Sequence, residues 1–200
     1  MAVSLLLASA SPRRRELLQQ LRIDFRAFAS QFAEVADESL PPDRLVLNNS
    51  LGKALALQEP YPQDLILAAD TVVATDREIL GKPLDARRAT EMLEQLQGRR
   101  HTVYTGMALI EGEQRSLRCN ITEVKLKAMS ASEIAAYVAS GEPLSTAGGY
   151  SIQGLGAGLV EAIDGCYTNV LGLSLPMLVD MLLEFGRRVY ALPGEKNAPA

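Results

Sequence analysis

The chain has 200 residues, a net charge of −4, and ordinary apolar and charged fractions of 48% and 22%. A chain of this length buries about 70% of its unfolded surface, so folding requires neither a disulfide nor a structural metal. One histidine and two widely separated cysteines exclude a histidine-rich metal centre and a CxxC zinc site, and the acidity argues against a broadly basic nucleic-acid surface.

The first half of the chain predicts strands that alternate with helices. A short apolar strand over residues 4–8 precedes a helix over 12–21, which Ser11 can cap. Residues 65–69 predict a buried strand, and Asp70 directly follows this apolar run. Residues 71–75 are expected to continue extended and to turn at 76–78 into a hairpin. The other elements expected here are an extended segment over 23–29, a polar turn over 37–42 and a helix over 43–57.

The second half mixes capped helices with long strands. Asp85 is expected to cap a helix that stops at Gly98, and Ser130 with Glu133 forms a capping box for a helix that runs to residue 140. The remaining elements are strands over 101–110 and 115–127, a glycine-rich flexible loop over 147–158, a hairpin of 159–163 with 167–170 around Asp164-Gly165, and a last helix over 175–185.

The alternation of strands and helices predicts an α/β fold with a mixed twisted sheet and flanking helices. We expect one domain over residues 1–188 and a disordered tail over 189–200. The apolar run at the start is too short to span a membrane, and its arginines follow it rather than precede it. This order is the reverse of a secretory signal, so we expect a cytoplasmic protein without a membrane segment.

A basic cluster lies where the first strand gives way to the first helix. Ser9 is followed by Arg13, Arg14 and Arg15 in the first helical turn. Helix N-termini favour anions, so three cations there have the wrong sign unless an anion binds. Arginine also suits bidentate contact with phosphate oxygens. The pattern indicates a phosphate site, with a solvated basic turn as the alternative.

Four further residues are candidates for chemistry. Asp70 directly follows a buried apolar run, where open α/β sheets bind ligands, and a carboxylate there can hold a hard cation or act as a base. Lys82 lies between a glycine and a proline, on a backbone suited to placing one charge near a phosphate. A turn aspartate and a surface lysine are the alternatives. Glu34 and Lys53 are weak candidates on their own.

The glycine-rich segment permits close approach of its backbone to a ligand, and Gln153 within it offers the donor and the acceptor needed to read a base edge. It is neither a P-loop nor a dinucleotide fingerprint, and a mobile connector is the alternative. His101 has no acidic partner in its segment, so we expect a structural or surface role. Cys119 and Cys166 are expected to pack as small apolar strand residues.

Eight segments resemble, in order and spacing, the motifs of the Maf family of nucleotide pyrophosphatases. They are residues 6–14, 69–73, 80–83, 104–106, 122–124, 137–143, 149–154 and 170–173. The resemblance implies hydrolysis of nucleoside triphosphates to monophosphates and pyrophosphate with Mg²⁺ or Mn²⁺. It also implies a fold similar to the inosine-triphosphate pyrophosphatases, with two lobes around a central cleft, and a homodimer.

The resemblance also implies roles for individual residues. Asp70 matches the catalytic acid, and Glu34 and Asp70 would hold the metal. Substrate binding and specificity would fall to Ser9, Arg13, Arg14, Lys53, Thr71, Lys82 and Gln153. The Asp-Thr pair and the Tyr-x-Ile-Gln-Gly segment are similar to the branch that acts on dTTP and UTP, which suggests a house-cleaning role, linked to division arrest, that extends to modified pyrimidine nucleotides.

Two alternatives stay open. The same fold could act on 7-methyl-GTP or another modified nucleotide. The chain could instead be a non-enzymatic division regulator that binds nucleotide or nucleic acid, although its net acidity and its acid and lysine set argue against nucleic acid.

Overall fold

The computed structural model describes residues 5–35, 37 and 39–190, and within them seven strands form one mixed sheet flanked by helices. The strands are β1 (Leu5–Ala8), β2 (Phe25–Phe28), β3 (Leu65–Ala74), β4 (Ile79–Leu80), β5 (Arg100–Glu111), β6 (Gln114–Leu126) and β7 (Val160–Asp164). The helices are α1 (Pro12–Gln20), α2 (Pro42–Gln58), α3 (Ala86–Leu96), α4 (Ala131–Ala139), α5 (Tyr167–Val170) and α6 (Leu175–Glu184). Short 3₁₀ turns span Glu142–Ser145, Ala147–Gly149 and Gly154–Leu159.

The sheet has a parallel part and an antiparallel part. Its strand order is β2-β1-β3-β5-β6-β7, and β4 pairs with β3 off this path. β1 runs parallel to β2 and β3, whereas β3, β5, β6 and β7 pair antiparallel in succession. The predicted α/β class with a mixed sheet is confirmed.

Alternation along β3 divides its side chains between two apolar cores. Leu65 and Leu67 pack with residues of α1 and α6 on one face of the sheet. Ile66 and Ala68 pack with residues of α2 on the other face. Successive strand residues point to opposite faces, so Asp70 continues the α2 side and Thr71 the α1 side. A third core joins α3 and α4 to the antiparallel strands.

The extended segment expected over 71–75 is confirmed as a continuation of the strand expected over 65–69, because β3 runs without a break from Leu65 to Ala74. β1 pairs with β3 only as far as Leu7 and Leu67, and β4 joins the same strand at Val73. Between these pairings β3 continues beyond the end of β1, supported on its other side by β5. Asp70 therefore lies past the carboxyl end of β1 rather than past the end of its own strand.

Most of the predicted helix ends are confirmed. The Asp85 carboxylate accepts from the Arg88 N–H at 2.8 Å, and Ser130 forms the capping box that begins α4. The predicted Ser11 cap is wrong, because its side chain makes no capping hydrogen bond. Instead, the Ser9 hydroxyl accepts from the Ser11 N–H at 3.1 Å.

The predicted hairpin of 159–163 with 167–170 is wrong. β7 pairs with β6, and Tyr167–Val170 forms the short helix α5. Asn169, fully buried, donates to the Val103 carbonyl at 3.2 Å and to the Thr122 hydroxyl at 3.0 Å. These contacts anchor α5 against β5 and β6, so tertiary hydrogen bonds override the local turn signal.

The segment 147–158, expected to be a free loop, instead contains two 3₁₀ turns. Of the tail expected over 189–200, residues 191–200 lie outside the described residues, as do the first four residues of the chain. No helix among the described residues is both long and apolar enough to cross a membrane.

Gly106 allows α2 to lie directly against β5. A Cβ at this position would lie 2.5 Å from the Val46 carbonyl carbon and 2.8 Å from the Leu47 nitrogen, both backbone atoms of α2. We expect Gly106→Ala to lower the free energy of unfolding by about 1–3 kcal/mol, the usual cost of overpacking. Urea denaturation measures the effect. Gly158→Ala is the control, since a Cβ there meets nothing within 4 Å; equal stability of the two variants would contradict the prediction.

Candidate active site

A cleft of about 1360 Å³ opens past the end of β1. Every residue that the sequence put forward for binding or catalysis lines it: Ser9, Arg13, Arg14, Glu34, Lys53, Asp70, Thr71, Lys82 and Gln153. These side chains come from the start of α1 and the turn before it, from α2 and β3, from the segments that follow β2 and β4, and from the glycine-rich segment. The cleft thus gathers residues up to 144 positions apart in the sequence.

Asp70 is the buried centre of the cleft on the α2 side. Its Oδ1 lies 2.6 Å from Lys53 Nζ, and its Oδ2 accepts from Asn49 Nδ2 at 3.0 Å. Lys53 and Asn49 are one turn apart on the same face of α2, and both are buried. Lys53 Nζ also lies 2.7 Å from Glu34 Oε1, whose side chain is 62% exposed. One ammonium therefore joins a buried carboxylate to a solvent-facing one.

Asn49 is a site residue that the sequence analysis missed. Its Oδ1 accepts from the Val35 N–H at 2.9 Å and its Nδ2 donates to the Val35 carbonyl at 3.1 Å as well as to Asp70. The amide thus ties the segment that carries Glu34 to the helix that carries Lys53. The available signal was the run of polar residues at positions 48–50, in the middle of a helix that is otherwise largely apolar.

Thr71 lies on the opposite face of β3, in a chain of polar contacts to α1. Arg14 donates from Nη2 to the Thr71 hydroxyl at 3.3 Å and from Nε to the Gly172 carbonyl at 2.8 Å. The hydroxyls of Thr71 and Thr105 lie 2.9 Å apart, and Thr105 donates to the Asn169 carbonyl at 3.0 Å. The chain holds Arg14 between the cleft and the core.

The Arg14 guanidinium is flanked by charge as well as by hydrogen bonds. Burial lowers its pKa from the ordinary value, while the carboxylates of Asp70 and Glu34 act in the opposite direction. Arg14 also donates to the Ser9 hydroxyl at 3.4 Å. It is a cation with three acceptors already in place, which suits it to position neighbouring groups.

The remaining candidates lie at the rim. Arg13 donates from Nη2 to the Ser145 hydroxyl at 3.2 Å, which connects α1 to the segment after α4. Lys82 is exposed beside the end of β4, and Gln153 is half-buried on the glycine-rich segment. Within the described residues the Gln153 side-chain amide makes no hydrogen bond. The rim therefore offers two cations and one amide to a ligand.

His101 has a structural role, which was one of the two roles expected for it. It is buried, its Nε2 lies 2.7 Å from the Tyr150 hydroxyl, and burial lowers its pKa to about 4. It is therefore neutral at physiological pH. Cys119 lies in β6 as expected, and burial raises its pKa to about 11. Cys166 lies before α5 rather than in a strand, which corrects the expectation.

The donor set of the cleft fits a hard divalent cation. Among the described residues no group of three histidine, cysteine, aspartate or glutamate side chains converges. Mg²⁺, however, is commonly bound through one or two carboxylates, with waters and substrate phosphates completing its shell. Asp70 and Glu34, which share Lys53 Nζ, supply such a pair.

Fold and cleft together define an α/β protein whose site, with a buried carboxylate centre and a cationic rim, suits a phosphorylated ligand. The family described as Maf-like protein matches residues 4–185. The chain belongs to the Maf family, and the resemblance carried by the eight motifs is confirmed.

Two relatives cover almost the full chain. A dTTP/UTP pyrophosphatase from Gloeobacter violaceus is 59% identical over 190 residues, which is 95% of this chain and 100% of that protein. A dTTP/UTP pyrophosphatase from Pelotomaculum thermopropionicum is 42% identical over 187 residues, 92% of this chain and 98% of that protein. A solved Ham1 protein structure from Staphylococcus aureus aligns with a TM-score of 0.45 and 11% identity, over 62% of this chain and 71% of that one.

Proposed function

We propose that this protein hydrolyses dTTP and UTP to the corresponding monophosphate and pyrophosphate. The observation that carries the proposal is the buried Asp70 held between Lys53 and Asn49 inside a cleft with a cationic rim. The 59% identity to a dTTP/UTP pyrophosphatase supports the choice of substrate. The proposal also includes a homodimer, which the motif resemblance implies, and a cytoplasmic location.

Asp70 is suited to hold and deprotonate the attacking water. Lys53 and Asn49 each occupy one of its oxygens, and a carboxylate has about four acceptor sites in all, so acceptor capacity remains for a water. The water oxygen would bond to the α-phosphorus as the bond to the bridging α,β oxygen breaks. The water proton would go to Asp70, and pyrophosphate would leave.

Cations of the cleft would stabilise the charge on the phosphates. Arg13 and Lys82 at the rim can approach the β- and γ-phosphates, where preorganised donors contribute most to phosphoryl chemistry. Arg14 supports Thr71, which with Gln153 would contact the pyrimidine. Asp70 and Glu34 would hold Mg²⁺ or Mn²⁺, which when bound neutralises charge on the phosphate oxygens.

The proposed substrate is tested with a panel of nucleotides and separate detection of pyrophosphate and orthophosphate. We expect dTTP and UTP to give monophosphate and pyrophosphate, with kcat/KM at least about 10-fold above that of dCTP and dGTP. The physical reason is that a site built to pair with the edge of one base leaves its buried polar groups unpaired when a different base binds.

The proposed metal dependence is tested separately with a chelator. Addition of EDTA is expected to abolish turnover, and addition of Mg²⁺ or Mn²⁺ is expected to restore it.

The panel separates the proposal from its alternatives. A preference for 7-methyl-GTP would mean that the same site acts on a different nucleotide. Release of orthophosphate without pyrophosphate would replace the reaction with a phosphatase reaction. A lack of turnover on the panel, together with salt-sensitive DNA binding in a separate binding assay, would favour a regulatory protein instead.

A further inference from the structure

Tyr137 and Glu142 face the glycine-rich segment from behind the cleft. Tyr137 lies in α4 and Glu142 begins the 3₁₀ turn that follows it. The nine residues put forward for catalysis and binding do not include them, although both belong to one of the Maf-like motifs. Together their side chains contact the backbone on both sides of Gln153.

The contacts form a closed set of hydrogen bonds. The Tyr137 hydroxyl accepts from the Ser151 N–H at 3.0 Å and donates to Glu142 Oε1 at 2.8 Å. Glu142 also accepts from the Gly156 N–H at 2.8 Å and, through Oε2, from the Leu155 N–H at 3.0 Å. Gln153 thus lies between one anchored backbone position before it and two after it.

Glycines make this close approach possible. A Cβ at position 154 would lie 2.4 Å from Glu142 Oε2, and the backbone there has φ +66°. A Cβ at position 156 would lie 2.4 Å from the Tyr137 hydroxyl and 2.2 Å from the Ser151 carbonyl. Any larger residue would force the segment away from the two side chains, so the glycines are matched to this pair.

Both side chains are in the protonation states that these bonds need. Burial acts to raise the pKa of Glu142, but the Gly156 N–H, the Tyr137 hydroxyl, the Leu155 N–H and the charge of Arg13 together bring it below its ordinary value. Burial raises the pKa of Tyr137. At neutral pH the carboxylate therefore accepts and the phenol keeps the proton it donates.

We propose that Tyr137 and Glu142 are positioning residues that set base selectivity by fixing the backbone that carries Gln153. The inference rests on the proposed function, in which Gln153 contacts the pyrimidine. With no hydrogen bond of its own among the described residues, the Gln153 side chain depends on this backbone for its direction. A displacement of about 1 Å at a positioning group can cost up to about 100-fold in rate.

Glu142→Gln is the first test. The amide would turn an N–H₂ group toward one of the backbone N–H donors, so one anchor is lost while size is kept. We expect KM for dTTP to rise about 10-fold with kcat changed less than about 3-fold, and the dTTP-to-dCTP ratio of kcat/KM to fall about 10-fold. These two substrates share the triphosphate and deoxyribose and differ in the base.

Tyr137→Phe supplies a second, independent variant, because it removes the hydroxyl that joins Ser151 to Glu142. The same fall in the dTTP-to-dCTP ratio of kcat/KM is expected. If Glu142→Gln does not fold, Tyr137→Phe tests the proposal in its place. Glu133→Gln is the matched control: it makes the same carboxylate-to-amide change at a residue of α4 whose hydrogen bonds go to Ser130 and Lys127 and not to the glycine-rich segment. Its selectivity is expected to equal that of the wild type.

A double mutant separates positioning from general destabilisation. If Glu142 acts through Gln153, Glu142→Gln added to Gln153→Ala should lower selectivity no further. Additive losses, or an unchanged dTTP-to-dCTP ratio in both variants despite a lower Tm, would overturn the inference and leave a structural role. Absence of dTTP and UTP hydrolysis in the wild type is a different result, which overturns the proposed function itself.

Discussion

Asp70→Asn is expected to lower kcat by about 10²–10⁴, the usual contribution of a positioned acid–base group. The amide keeps the shape of the side chain but cannot accept a proton from water or contribute charge to a divalent cation. It also places an N–H₂ group against either Lys53 Nζ or Asn49 Nδ2, both donors. Steady-state rates of pyrophosphate release at saturating dTTP measure the effect.

Asp64→Asn is the matched control for this variant. Asp64 immediately precedes β3 and pairs with Arg26 at 2.6 Å on a partly exposed surface. Such pairs are worth about 0–1 kcal/mol, so turnover is expected to stay within about 2-fold of the wild type. Near-wild-type turnover of Asp70→Asn, with its fold intact by circular dichroism, would remove Asp70 from the proposed chemistry.

Local signals in the sequence were sufficient where the structure depends on local contacts. The Asp85 cap and the Ser130–Glu133 capping box are each made by residues three positions apart, and the stop at Gly98 rests on the left-handed backbone of that glycine itself. The pairing of β5 with β6 likewise follows from a short connection between two long strands. Such features can be predicted because the partners are neighbours in the chain.

Long-range contacts explain the failures. The segment 167–170 has a strand-like sequence, but burial of Asn169 between Val103 and Thr122 makes it helical. Asp70 lies within β3 because β5 pairs with this strand on both sides of it, with Gly106 opposite Asp70. No local sequence pattern specifies which distant strand or helix a segment will pack against.

In the candidate site, too, local signals identified residues, whereas the contacts between distant residues could not be predicted. Local patterns and the motif resemblance together put forward nine residues that line the cleft, but neither gave the contacts between them. Asn49 was missed because its role depends on two distant partners, Val35 and Asp70. Tyr137 and Glu142 lie in a recognised motif, yet their relation to Gln153 becomes visible only once the glycine-rich segment is folded against them.

Lys53→Met is expected to affect both stability and turnover. Removal of the ammonium leaves the buried Asp70 carboxylate beside Glu34 without the cation they share. Breaking a buried pair by removing one partner costs about 3–5 kcal/mol, which corresponds to a Tm about 6–20 °C lower for a chain of this size. Loss of a preorganised cation is expected to lower kcat by about 10²–10³. Thermal unfolding and steady-state kinetics measure the two effects.

Lys125→Met controls for loss of a lysine as such, because Lys125 pairs with Glu161 on an exposed part of the sheet and should cost no more than about 1 kcal/mol. The decisive comparison is Lys53→Met combined with Asp70→Asn. The neutral amide no longer needs a cation, so the double mutant should be more stable than the sum of the single losses predicts, by about 1–3 kcal/mol. Strictly additive losses would mean that the 2.6 Å contact between Lys53 and Asp70 is not what stabilises this part of the cleft. In that case Lys53 would act on the phosphates alone.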